Sequence, residues 1–169
     1  MSDTGPNPAQ DVAALSHQLL AFAECRKLKV VTVESCTGGL LASVLTDVEG
    51  LSHVFDRAMV TYTESAKTDL AGVPAKLIAE HGVVSAVVAQ AMATGGILSL
   101  SEPCLSLAIT GYAGPSPDGG PAGLVYIAVA SPHQIACERH EFAADDRQAI
   151  RYAAVREALN MGIALCAQQ

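Results

Sequence analysis

The turn at residues 34–39, with the sequence ESCTGG, contains two candidate nucleophiles, Ser35 and Cys36. It follows a short β-branched run and precedes a segment of helical periodicity, so it is predicted to join a buried strand to a helix. A turn of this kind exposes backbone N–H groups, and its two glycines let an anion or a developing oxyanion approach them. The alternative is a structural turn, in which Ser35 or Thr37 caps the helix and the glycines allow close packing.

Lys67 is the candidate base for a hydroxyl nucleophile. A lysine serves as a base when burial or nearby positive charge lowers its pKa from about 10.4 toward neutrality. Tyr62 is predicted to end a strand shortly before Lys67, and its hydroxyl could relay or orient a proton. The tyrosine–lysine pair of short-chain dehydrogenases has another spacing and follows a GxGxxG motif, which this sequence lacks. The structural alternative is a solvated Lys67 and an amphipathic Tyr62 at a strand end.

Two further polar groups are predicted at the ends of apolar strands. Glu34 closes the strand before Ser35, where its carboxylate could orient Lys67 or a substrate amide. Thr110 precedes a glycine-rich loop, and loops at strand ends in α/β sheets line ligand crevices. Thr110 could therefore bond a substrate, and Gly111 would let the main chain approach it. The alternative is an ordinary surface loop.

Two arginines, Arg147 and Arg151, open the last predicted helix one turn apart and share one face. Together they could clamp a phosphate group. The alternative is a charged first turn in which Asp146 pairs with Arg151 at the surface.

The composition restricts the class of function. The chain has 169 residues, 50% of them hydrophobic and 16% charged, as expected of a compact domain. A net charge of −7 argues against non-specific nucleic-acid binding, and the absence of a long apolar run or signal peptide argues against a membrane partner. The five cysteines form no CxxC pair and the five histidines no HxxxH pair, so neither a metal nor a cofactor is expected. We expect a cytoplasmic protein.

Helices and strands alternate along the predicted chain, with one late hairpin. This order predicts an α/β fold, a three-layer α/β/α sandwich with a mixed sheet. A flexible tail is predicted at residues 1–10, before a single domain at residues 11–169. Strands are predicted at 29–34, 54–62, 105–110, 124–130 and 134–142, and helices from residue 12 and at 40–45, 64–70, 75–80, 86–100 and 145–166.

Six segments, in order along the chain, resemble the C-terminal domain of CinA, the competence/damage-inducible protein, also known as nicotinamide-nucleotide amidohydrolase. They are ESCTGG at 34–39, VFDRAMVTYTESAK at 54–67, LAGVPA at 70–75, HGVVS at 81–85, AITGYAGP at 108–115 and GLVYIAVA at 123–130. The resemblance implies hydrolysis of the carboxamide of nicotinamide mononucleotide, which gives nicotinate mononucleotide and ammonia. The implied partner is a small pyridine mononucleotide.

The resemblance also implies roles for the catalytic residues. Ser35 would be the nucleophile, Lys67 the general base and Tyr62 a supporting proton relay or orienting group. The reaction would pass through an acyl-enzyme on Ser35 and require no metal.

The implied substrate-binding residues include Thr110, which would line the site and hold the amide or its oxyanion. The backbone around Thr37, Gly38 and Gly39 would supply further donors. Arg147 would bind the substrate phosphate, with Arg151 as the second candidate.

The sequence departs from the family pattern in two places: the loop at 116–122 is compact, and Tyr112 stands where a small aliphatic residue is expected. The additional N-terminal domain that many family members carry is expected to be absent. Two other hypotheses stay open: a nucleotide-binding regulatory module with little turnover, and a thiol hydrolase using Cys36. A homodimer is compatible with this aliphatic composition.

Overall fold

A computed structural model describes residues 8–116, 119–143 and 146–167. The five strands are β1 Lys29–Glu34, β2 Phe55–Val60, β3 Cys104–Gly111, β4 Leu124–Ala130 and β5 Ile135–Glu141. The six helices are α1 Pro8–Cys25, α2 Leu40–Thr46, α3 Glu64–Ala71, α4 Ala75–His81, α5 Ala86–Leu98 and α6 Arg147–Ala167. No helix within the described ranges is long and apolar enough to cross a bilayer.

The strands form one mixed sheet in the order β2-β1-β3-β4-β5. β1 is parallel to both β2 and β3, whereas β4 and β5 continue the sheet as an antiparallel hairpin. Helices α1, α2 and α6 cover one face, and α3, α4 and α5 cover the other. The predicted three-layer sandwich with a mixed sheet is confirmed.

The two faces of the central strands carry side chains of different size. On β3, Leu105, Leu107 and Ile109 enter the core beneath α1 and α6, whereas Ala108 faces α5. β4 repeats this alternation, with valine and isoleucine on the first face and Ala128 and Ala130, together with the larger Tyr126, on the second. The small face lets α5 approach closely, and a Cβ added at Gly96 would lie 2.0 Å from the Ser106 Oγ.

Most predicted elements are confirmed, and β1 and β4 have the predicted bounds. The second strand ends earlier than predicted because β1, its neighbour in the described sheet, ends at Glu34, which pairs with Val60. Residues 8–10, assigned to the flexible tail, instead belong to α1. The rest of that predicted tail and Asp145, the predicted start of the last helix, lie outside the described residues.

Candidate active site

The carboxyl ends of the three parallel strands meet at one edge of the sheet. Glu34 at the end of β1 is in register with Val60 of β2 and Ile109 of β3. Ser35, Thr61 and Thr110 therefore lie next to one another. The sheet order places β2 and β3 on opposite sides of β1, and ligands of α/β proteins bind at such a switch point.

A hydrogen bond joins Ser35 to Lys67 at this edge. The Lys67 Nζ lies 2.9 Å from the Ser35 Oγ and donates a second hydrogen bond to the carbonyl oxygen of Thr61, at 2.7 Å. Lys67 reaches the site from α3, which begins after Thr63, whose hydroxyl accepts the Ala66 amide. The predicted proximity of a hydroxyl nucleophile and an amine is present in the structure.

The amine of Lys67 is completely removed from solvent, with 0% of the residue exposed. Burial lowers the pKa of Lys67 to about 8, although Cys36 and Glu64 act in the opposite direction. A substantial fraction of the amines is therefore neutral near pH 8, and a neutral amine can accept the proton of Ser35. The alternative of a solvated Lys67 is wrong.

Cys36, the other candidate nucleophile, is 6% exposed, and its pKa is shifted in the direction opposite to that of Lys67. Burial raises the pKa of its thiol to about 11, which outweighs the opposing effects of the local backbone, Lys67 and Arg147. A thiol with this pKa is protonated at neutral pH and is a poor nucleophile. The raised pKa weighs against the hypothesis of a thiol hydrolase using Cys36.

Glu34 does not face the substrate, contrary to the prediction. Its carboxylate is fully buried and accepts hydrogen bonds from the amides of Gly39, Leu41 and Ala42, at 2.9 to 3.1 Å. These amides belong to the first turn of α2, which otherwise lacks a side-chain cap. Glu34 therefore caps α2 with a negative charge, and the positive end of this helix is already neutralised.

The backbone donors near Ser35 also differ from the prediction. The Gly38 amide donates to the Ser35 carbonyl at 3.0 Å, and the Gly39 amide donates to Glu34. Within the described part of the chain, no oxygen accepts from the amides of Cys36 and Thr37. These two amides, rather than those of the glycines, are the candidate oxyanion donors; Cys36 lines the pocket, and Thr37 lies buried directly after it.

Tyr62 lies at the site but does not join the Ser35–Lys67 pair. Its side chain is exposed, and its hydroxyl accepts a hydrogen bond from Arg147 at 2.9 Å. The predicted proton relay is thus not formed among the described residues. Tyr62 instead positions the guanidinium of Arg147.

The two arginines of α6 have separate partners, so the predicted joint clamp is not formed. Arg151 donates to the carbonyl oxygen of Thr37 at 2.5 Å and thereby ties α6 to the turn that follows Ser35. Arg147 is exposed and lines the pocket beside Gly114. Arg147 alone is placed to meet a ligand.

A pocket of about 300 Å³ opens above Ser35. Its described lining includes Cys36, Tyr62, Thr110, Gly111 and Arg147, together with Val83, Val84 and residues 112–116. Thr110 lies in this pocket as predicted, but its hydroxyl donates to the Val83 carbonyl at 3.0 Å. No described residue donates to this hydroxyl, so it can accept from an N–H group, and Thr110 suits an amide nitrogen better than an oxyanion.

Three groups at the site were not predicted from the sequence. The carbonyl groups of Thr61 and Val83 hold Lys67 and Thr110, and the Tyr112 side chain lines the pocket. Main-chain carbonyls carry no signal in residue type. The departure noted at Tyr112 was the one available signal.

A family model described as CinA C-terminal domain matches residues 12–166. The chain belongs to this family. A CinA-like protein of Syntrophus aciditrophicus is 41% identical over 157 residues, and one of Geobacter sp. (strain M21) is 41% identical over 156 residues. Each match covers 90% of this chain but 37% of the relative, so the chain spans little over a third of these curated CinA relatives.

Solved structures of the CinA superfamily share the fold. The competence/damage inducible protein CihA of Agrobacterium tumefaciens is 37% identical with a TM-score of 0.86, and 98% of this chain matches 99% of that one. A CinA superfamily protein of Escherichia coli is 36% identical with a TM-score of 0.80, and 99% of this chain matches 93% of that one. The resemblance described from the sequence is confirmed at the level of the CinA family.

Proposed function

We propose that this chain is an amidohydrolase that converts nicotinamide mononucleotide to nicotinate mononucleotide and ammonia. The observation that carries the proposal is the 2.9 Å contact between the buried Lys67 amine and the Ser35 hydroxyl at the floor of a pocket. A module that only bound nucleotides would have no use for a neutral amine beside a hydroxyl. Burying a lysine costs free energy, and such groups concentrate at catalytic sites.

The first half of the reaction acylates Ser35. The neutral Lys67 amine takes the hydroxyl proton as the Ser35 Oγ attacks the carboxamide carbon. The amides of Cys36 and Thr37 stabilise the oxyanion. The C–N bond then breaks, and the proton passes from Lys67 to the leaving nitrogen, which departs as ammonia.

The second half releases the acid. A water molecule attacks the ester carbon and gives a proton to Lys67, which returns it to the Ser35 Oγ as the C–O bond to the enzyme breaks. The product is the carboxylate of nicotinate mononucleotide, so amide and water are consumed and acid and ammonia are formed. Lys67 acts first as base and then as acid in each half.

The phosphate of the substrate is assigned to Arg147. Its guanidinium is exposed at the pocket, and none of the ion pairs among the described residues involves it. The hydroxyl of Tyr62 holds one Nη atom at 2.9 Å, so the side chain is oriented before a ligand arrives. A mononucleotide would then bind with its carboxamide at Ser35 and its phosphate at Arg147.

The test is ammonia release from nicotinamide mononucleotide, compared with nicotinamide riboside, which has the same ring and ribose but no phosphate. We expect release from the mononucleotide and a higher KM for the riboside. Arg147→Ala should raise the KM for the mononucleotide and leave that for the riboside nearly unchanged. Arg156→Ala is the matched control, since this exposed arginine of α6 pairs with Glu157 away from the pocket.

Other results would change the proposal. Tight binding of the mononucleotide without ammonia release would favour the regulatory module. Equal KM values for both compounds would contradict the assignment of the phosphate to Arg147.

A further inference from the structure

Tyr112 has a fixed position in the wall of the pocket. Its amide donates to the Leu124 carbonyl at 2.8 Å, and its carbonyl accepts from the Gly123 amide at 2.7 Å. These bonds extend the pairing of β3 with β4 one residue past the end of β3. Tyr112 therefore lines the pocket from the end of the sheet rather than from a free loop.

The ring of Tyr112 is also held from one side by the backbone of Gly120. A Cβ added at Gly120 would lie 2.2 to 2.7 Å from three carbons of the ring, which is closer than atoms can approach. Gly120 does not have a positive φ, so its backbone conformation would tolerate alanine. The glycine is required for space, because the main chain rests against the aromatic ring.

The described lining of the pocket carries no carboxylate for a cationic ligand. Among the described lining residues, Arg147 is the one with a permanent charge, and no aspartate or glutamate is present. The pyridinium ring of an oxidised nicotinamide nucleotide carries a positive charge. Among the described lining residues, the groups that can favour this charge are the electron-rich faces of the aromatic rings of Tyr62 and Tyr112.

We propose that Tyr112 is a specificity-determining residue that recognises the positive charge of the pyridinium ring. This inference rests on the proposed function and adds a choice between redox states of the substrate. The pocket favours the oxidised, cationic ring over the reduced, neutral dihydropyridine ring on the same ribose phosphate. Gly120 is a positioning residue that keeps the Tyr112 ring in place.

The test measures the affinity of oxidised and reduced nicotinamide mononucleotide by calorimetry in a Ser35→Ala background, where no turnover interferes. We expect Tyr112→Leu to lower the affinity for the oxidised ligand by about 2- to 30-fold, which is the range of cation–π contacts. The affinity for the reduced ligand should change by less than about twofold. Tyr112→Phe keeps the ring and should bind both ligands as its parent does.

A double-mutant comparison separates recognition by the ring from damage to the loop. Gly120→Ala should selectively lower the affinity for the oxidised ligand, as Tyr112→Leu does. In a variant that already carries Tyr112→Leu, Gly120→Ala should lower this affinity no further. A further loss in the double variant would contradict the positioning role. Thermal unfolding of each variant checks that the fold is kept.

Equal weakening of both ligands by Tyr112→Leu, or no weakening of either, would overturn charge recognition by Tyr112. Such a result would leave the proposed function standing, provided that the wild-type protein releases ammonia from the oxidised compound. Failure of the parent to bind either compound would overturn the inference together with the proposed substrate.

Discussion

The Lys67 amine exchanges its hydration for two protein contacts, the Ser35 hydroxyl and the Thr61 carbonyl. Neither partner is charged, so they do not replace what the ammonium form loses when water is removed. The balance favours the neutral amine and is the reason why the pKa of Lys67 falls to about 8. An amine with this pKa can serve as a base near physiological pH, as the proposed mechanism requires.

The pKa of Lys67 predicts how activity depends on pH. Because the reactive form is the neutral amine, kcat/KM should rise about tenfold per pH unit at low pH and level off above about pH 8. Glu64 is the charged group that opposes the shift of the Lys67 pKa in this range, because the Cys36 thiol stays protonated until about pH 11. A rate profile that is flat through this region would contradict the role of Lys67 as base.

The same shift predicts a stability effect. The folded protein releases the Lys67 proton near pH 8, whereas the unfolded chain holds it until about 10.5. In this window the unfolded state binds more protons, so the stability that Lys67 contributes is lowest below pH 8 and rises toward 10.5. The melting temperature of wild type relative to Lys67→Met should therefore increase across the window. A difference in melting temperature that stays constant across the window would show that the pKa of Lys67 is not lowered in the folded protein.

At the scale of elements, the start of α2 is capped by Glu34, the last residue of the preceding strand, β1. The Glu34 carboxylate spans the turn of residues 35–39 and accepts three amides of α2. Ser35 and the amides of Cys36 and Thr37 lie inside the segment that this contact closes. We therefore expect the geometry around Ser35 to depend on Glu34, although Glu34 touches no ligand.

Glu34→Gln should destabilise the fold by about 1–3 kcal/mol, because an amide offers one acceptor oxygen where the carboxylate offers two. Urea denaturation measures this change. Glu49→Gln serves as control, since this exposed residue of the nearby loop should alter stability by less than about 0.5 kcal/mol. If Glu34→Gln were as stable as its control, the capping role would be refuted.

The packing of α5 on the sheet supplies a second prediction at this scale. A methyl group at Gly96 would meet the Ser106 side chain, with 2.0 Å to its Oγ and 2.9 Å to its Cβ. Gly96→Ala should force α5 away from the sheet and cost about 1–3 kcal/mol in urea denaturation. Thr94→Ala, on the exposed side of the same helix, should be nearly neutral. Equal stability of Gly96→Ala and Thr94→Ala would contradict the close approach of α5 to Ser106.

At the scale of the molecule, much of the fold follows from local pattern. The runs KVVTVE and LVYIAVA are β-branched and uninterrupted, so the bounds of β1 and β4 were predictable. Ser35 and Lys67 were predictable as a pair because their residue types suit one reaction.

The partners of the charged side chains were not predictable. Tyr62 and Arg147 are separated by 85 residues, and Thr37 and Arg151 by 114. Which polar group each side chain reaches depends on how α6 packs against the edge of the sheet, and no local pattern encodes that distance. For the same reason Glu34 was assigned to the substrate, although its carboxylate points back along the chain to α2.

The fold brings Ser35, directly after β1, within 2.9 Å of the Lys67 amine on α3. The most direct measurement is ammonia release from nicotinamide mononucleotide by Ser35→Ala beside Cys36→Ala. We predict that Ser35→Ala loses activity by about 10³-fold or more while it still binds the nucleotide, and that Cys36→Ala keeps most of its activity. Retention of activity by Ser35→Ala, or its loss in Cys36→Ala with the fold intact, would contradict the Ser35–Lys67 mechanism.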